Sequence, residues 1–163
     1  RPVNVIDPVA GADTLDLSAA TDSTEAVVVL PGYSQALTLI TDTDEDGLFS
    51  AGDTVTFGNG VDVILGFHVG TPADTLRLPF AATGPVSLYG GATDTLAATD
   101  TLYSLGGTYT LENGEFLVTD VESETDTLLI QGYDSGMDVA DNAAAVVLVG
   151  VTPVQLVADH FDM

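Results

Sequence analysis

The feature that most constrains this chain is a tripeptide, Asp-Thr-Leu or Asp-Thr-Val, that recurs at Asp13, Asp53, Asp74, Asp94, Asp100 and Asp126. Each copy opens a short stretch in which apolar residues alternate with polar ones, the period of a half-buried strand. The Asp carboxylate at such a position closes an Asx turn or ligates a cation at the strand start, and the Thr and Leu begin the outward and inward faces. The spacing between copies is irregular, so the motif marks strand starts without setting a solenoid period.

Helical periodicity is nearly missing, and the spacing predicts strands over 14–17, 26–30, 36–40, 54–57, 61–67, 76–78, 86–89, 108–112, 115–118, 127–131 and 144–151. So many short strands predict an all-β fold, a β-sandwich or a β-roll-like domain with hairpins and little or no helix. One hairpin is expected around Asn113-Gly114 as a two-residue turn, and a second around Gly58-Asn59-Gly60. A short helical turn is expected near 153–161, where Pro153 can begin one. The chain divides into 1–79 and 80–163, or forms one continuous domain.

Composition narrows the function classes. Among 163 residues, 45% apolar, a packed core is available. Arg1 and Arg77 are the only basic residues against 25 acidic ones, a formal charge of −23. Such a surface repels nucleic acid and anionic membranes, so neither is an expected partner. No apolar run is long enough to predict a membrane-inserted helix. Arg1-Pro2 opens no signal peptide, and the chain reads as a piece of something longer. Cysteine is absent, so no disulfide or thiolate site is available. His68 and His160, the only histidines, are too few for an imidazole-rich metal site and read as structural or surface residues.

One segment carries specific chemistry. In 42–53 the residues Asp42, Asp44, Asp46, the Leu48 carbonyl, Ser50 and Asp53 occupy positions 1, 3, 5, 7, 9 and 12 of a twelve-residue loop, with Gly47 at position 6. Those positions place oxygens around one point, and the glycine permits the sharp turn. Asp53 is shorter than the glutamate of an EF-hand, and the flanks read as strands, so a strand–loop–strand calcium site is expected. The alternative is an acidic surface turn.

The Asp-x-Asp-x-Asp-Gly run followed by Ser50-Ala51-Gly52-Asp53-Thr54-Val55-Thr56-Phe57 resembles the calcium loops of dockerin- and adhesin-type bacterial surface proteins. Asp62-Val63-Ile64-Leu65-Gly66-Phe67, continued by Gly70 and Asp74-Thr75-Leu76-Arg77-Leu78, resembles the segment that follows the calcium-binding repeats of RTX proteins exported by type I secretion. A weaker echo runs from Val118 through Asp126-Thr127-Leu128-Leu129-Ile130. The closing stretch, Ala145-Val146-Val147-Leu148-Val149-Gly150-Val151, Leu156 and Ala158-Asp159-His160-Phe161, is similar to the C-terminal export region of such substrates. The glycine-rich nonapeptide of the repeats is not present, so the resemblance is to a non-repeat region. It implies that Asp62 and Asp74 also ligate calcium and that Phe67 is core.

Catalytic readings are weaker. Gly32-Tyr33-Ser34-Gln35-Ala36 resembles a nucleophile elbow, but strands flank it where a strand–turn–helix is needed. With 25 acids, pairs at glycosidase spacing carry no information. The expectation is a non-catalytic, calcium-stabilised structural module at the bacterial cell surface. Its partners would be calcium and other copies or surface proteins, in a surface layer, adhesin or filament. A calcium-dependent glycan-binding module and a salt-adapted acidic domain without specific calcium are the alternatives.

Overall fold

The computed structural model describes residues 3–6, 12–18, 25–29, 37–57, 60–71, 73–77, 85–91, 101–119, 125–132 and 143–162. They form thirteen strands and two single 3-10 turns. The strands are β1 (Val3–Ile6), β2 (Thr14–Asp16), β3 (Glu25–Val29), β4 (Leu37–Thr41), β5 (Thr54–Phe57), β6 (Asp62–Leu65), β7 (Thr75–Arg77) and β8 (Val86–Ser87). They continue with β9 (Leu102–Thr110), β10 (Glu115–Val118), β11 (Asp126–Gly132), β12 (Ala143–Val149) and β13 (Phe161–Asp162). The fold is all-β.

Two sheets share the strands. The smaller runs β1-β3-β7-β13 and every pairing in it is parallel. The larger runs β2-β6-β12-β11-β9-β10-β5-β4, with β8 beside β9. Within it β2, β6 and β12 are also parallel. The chain alternates between these parallel sets: β1, β3, β7 and β13 lie in one sheet, and β2, β6 and β12 fall between them in the other. That alternation is the winding of a β-roll. The β4–β5 hairpin interrupts it between β3 and β6, and β8 to β11 interrupt it between β7 and β12.

The burial pattern follows from this winding. Val146 and Leu148 of β12 enter a core with Ile64, Leu129, Leu102, and Leu76 and Phe161 from the small sheet. Their neighbours Ala145 and Val147 enter a second core with Val63, Leu128, Ile130, Leu105, Phe116 and Val55. β12 is covered on both faces, which is why its sequence is a continuous apolar run and not an alternation. β10, covered on one face, alternates: Phe116 and Val118 are buried while Leu117 is exposed.

The hairpin around Asn113-Gly114 forms with a longer turn than expected, and the second does not form. Glu115 pairs with Thr110, so the turn between β9 and β10 has four residues, 111–114. Gly114 takes φ +60° and its N–H donates to Thr110 O at 2.9 Å. A longer loop lets Leu111 and Glu112 leave the ladder while Asn113-Gly114 still supplies the left-handed residue. The segment at 58–60 does not join a hairpin: β5 pairs with β4 and β10, whereas β6 pairs with β2 and β12. There the chain leaves the inserted hairpin and returns to the roll. Gly58 and Asn59 lie outside the described residues, as do 32–36, Asp94 and Asp100.

The end of the chain is held by a histidine. His160 is 3% exposed, accepts the Val157 N–H at Nδ1 (3.0 Å) and contacts Val69 O through Nε2 (3.1 Å). A backbone N–H only donates and a carbonyl only accepts, so the ring carries its proton on Nε2. Its edge meets Phe67 at a centroid distance of 6.2 Å. The expected short helical turn begins at Pro153 and takes the form of two 3-10 turns, Pro153–Gln155 and Ala158–His160.

Two turns close the roll tightly. Asp16 ends β2 by accepting both the Ser18 hydroxyl and the Ser18 N–H, bonds that hold its carboxyl below the ordinary aspartate range. Opposite it, Gly66 takes φ +74°, and a Cβ there would lie 2.6 Å from Ser18 Cα and against Ser18 N. Gly150 takes φ +80° with nothing within 4 Å of such a Cβ. Gly66→Ala should therefore cost about 2–4 kcal/mol, backbone strain plus overpacking, and Gly150→Ala about 1 kcal/mol. Urea unfolding of both variants measures the difference, and equal losses would contradict this packing.

Candidate metal centre

The 42–53 segment joins β4 to β5, two antiparallel strands paired from Leu37↔Phe57 to Thr41↔Thr54. The strands fix where the loop leaves and returns. Inside it, Glu45 takes φ +58° and Gly47 φ +76°. Left-handed residues alternating with Asp44 and Asp46 turn the backbone so that successive carboxylates face one point. Glu45 is the one non-glycine residue at positive φ among the described residues, at a cost of roughly 1–2 kcal/mol.

Asp42, Asp44 and Asp46 each bring an oxygen to within 4.8 Å of the others. Backbone N–H groups pin them there. Gly47 N donates to Asp42 Oδ2 at 2.6 Å, Leu48 N to Asp46 Oδ1 at 2.7 Å, and Asp46 N lies 3.3 Å from both Asp42 Oδ1 and Asp44 Oδ1. The Ser50 hydroxyl is 3.3 Å from Asp44 Oδ2, so position 9 stands beside position 3. Two carboxylates at 4.8 Å repel by about 1 kcal/mol in water and by about 3–4 kcal/mol at the effective dielectric of a protein surface. A cation at their centre would turn that repulsion into attraction. The donors are all hard oxygens, the set suited to calcium or magnesium rather than to a softer metal.

Asp53 sits differently. It is fully buried, and it accepts the Thr43 N–H at Oδ1 and the Ser50 N–H at Oδ2, both at 2.8 Å. The Thr43 hydroxyl adds a bond to Gly52 O at 2.9 Å. Asp53 thus closes the loop on itself, and it stands outside the group formed by Asp42, Asp44 and Asp46. The Leu48 side chain is exposed.

Asp62 and Asp74 lie in the roll. Asp62 opens β6, is 3% exposed and accepts the Asp13 N–H at 3.0 Å. Asp74 precedes β7, is 2% exposed and accepts the His68 N–H at 2.8 Å. The structure brings neither to the Asp42 group.

A pattern emerges that spacing alone does not reveal. Asp126 is 5% exposed and accepts the Tyr109 N–H at 2.8 Å and the Gly150 N–H at 2.9 Å. Asp53, Asp74 and Asp126, the first residues of three Asp-Thr copies, all accept backbone N–H groups: Asp53 from its own loop, Asp74 from His68, and Asp126 from Tyr109 and Gly150. The following Thr127 is fully buried and donates to Val151 O. The recurrence of the tripeptide was the available signal; the distant donors could not be read from it.

The two roles separate experimentally. Asp53→Ala leaves two loop N–H groups without an acceptor and should cost about 2–4 kcal/mol in chelator, whereas the exposed Asp44→Ala should cost no more than about 0.5 kcal/mol there. Urea titrations in chelator check both, and equal costs would remove the distinction. Comparison of the chain with protein-family models, curated proteins and solved structures returned no match.

Proposed function

We propose that this chain is a non-catalytic, calcium-stabilised structural module of an exported bacterial surface protein. The observation that carries this reading is the convergence of Asp42, Asp44 and Asp46 within 4.8 Å, held by backbone N–H groups on a loop fixed between paired strands. Asp42, Asp44, Asp46, the Leu48 carbonyl and Ser50 would hold the ion, Asp53 would keep the loop shut, and water would complete the six to eight ligands calcium takes.

Charge supports the same reading. At −23, with two basic residues, the chain has almost no internal cations to offset its carboxylates. In a calcium-poor cytosol that repulsion opposes closure of the loop and keeps the chain competent for export. In millimolar calcium outside the cell, binding adds to stability, by about 2.7 kcal/mol when calcium is a hundred times the dissociation constant. The histidine nearest to a catalytic role, His160, spends both ring nitrogens on the backbone. Assembly with other copies or surface proteins is the expected use of such an acidic scaffold, and type I export is the route that the sequence resemblance suggests.

A thermal melt tests the reading. Calcium at a hundred times its dissociation constant should raise Tm by about 5–10 °C over chelator, magnesium by less, and Asp44→Ala with Asp46→Ala should abolish the difference. An equal rise in sodium chloride without calcium would favour a salt-adapted domain instead. Calcium-dependent glycan binding would move the reading to a lectin.

A further inference from the structure

The acidic loop has two halves of opposite character. Asp44, Glu45 and Asp46 are exposed, but Phe49, three residues on, is fully buried. Phe49 joins the core that contains Val55, Phe116 and Leu88. Its N–H donates to Gly91 O at 2.8 Å, and its carbonyl accepts the Gly90 N–H at 2.7 Å. That reciprocal pair belongs to no strand of either sheet, and it fastens the loop to the 88–91 turn. The turn is closed by Gly91 N–H on Leu88 O (2.9 Å) and tied to β9 by Leu88 N–H on Ser104 O (2.9 Å). On the far side of Phe49, the Gly52 N–H donates to Val118 O (2.9 Å) and the Val118 N–H to Asp53 O (2.8 Å).

We propose that Phe49 is a latch that makes the 42–53 loop and the 88–91 turn open and close as one unit. Withdrawing the ring breaks both backbone bonds to the turn, because they are made by the same residue. Phe49 follows Leu48 directly, so a loop that cannot hold its acidic half in place cannot hold the ring in place. A cation held by Asp42, Asp44 and Asp46 would therefore steady Gly90 and Gly91, which it does not touch. That last consequence rests on the calcium reading above, whereas the latch itself does not.

Hydrogen exchange on the full chain tests the latch in two arms. In chelator, Phe49→Ala should speed exchange at Phe49, Gly90, Gly91 and Gly52 together by at least tenfold, with amides of β11 and β12 unchanged. Phe49→Leu, which keeps an apolar side chain, should give an intermediate effect and serves if the alanine variant does not fold. Faster exchange at 49–52 alone, with Gly90 and Gly91 at their original rates, would overturn the latch. In calcium chloride, the parent chain should slow at both segments and Phe49→Ala only at 46–48. Slowing confined to 42–48 in the parent chain would also overturn the latch. Absence of calcium binding by calorimetry would refute the metal reading, and the chelator arm would still decide the latch.

Discussion

A carboxylate buried at a strand start needs hydrogen-bond donors, and in this chain the aspartates so placed accept backbone N–H groups. Asp53, Asp62, Asp74 and Asp126 all do so, and each lies at least 95% buried. Leaving such a donor unpaired costs roughly 1–3 kcal/mol, so each carboxylate decides where a segment is fixed. Asp126 ties β11 to the end of β12 and to β9, and Asp74 ties the approach of β7 to the end of the preceding turn. A chain with no cysteine and almost no basic residues uses these bonds where others use disulfides or ion pairs.

The same device explains why the acidic loop is split in two. Asp53 is an internal clasp, and its oxygens face the loop's own N–H groups. Asp42, Asp44 and Asp46 are each pinned by one or two N–H groups and still face one another. Their geometry is set by the backbone while their charge is left uncompensated by any side chain of opposite sign within the loop. The proposed cation site rests on that combination: preorganisation would reduce the ordering cost of binding, and the unrelieved repulsion would supply its driving force.

Much of this was legible in the residues. β5 and β10 match their expected bounds because each alternates cleanly and ends at a turn signal. β9 starts at Leu102, ahead of the expected 108–112, and Gly107 is a strand glycine, where a Cβ would lie 2.7 Å from the Phe116 ring and against Leu117 O. The strand order of the roll was hidden. Strands of its small sheet start at Val3, Glu25, Thr75 and Phe161, and the inserted strands stretch the second and third intervals beyond recognition as a repeat. The convergence of Asp42, Asp44 and Asp46 follows the loop spacing, since three alternating aspartates before a left-handed glycine are a local signal. The burial of Asp53, Asp62 and Asp74, and the distant partner of Asp62, depend on the folded chain, and no local pattern encodes them.

The most direct test of the calcium account is diffraction from crystals grown in millimolar calcium, with anomalous differences collected to locate the ion. The account predicts a single peak between Asp42, Asp44 and Asp46, with oxygens at the 2.3–2.6 Å typical of calcium, about six to eight ligands, and the Leu48 carbonyl among them. An ordered loop with these three carboxylates hydrated and no peak between them would contradict it.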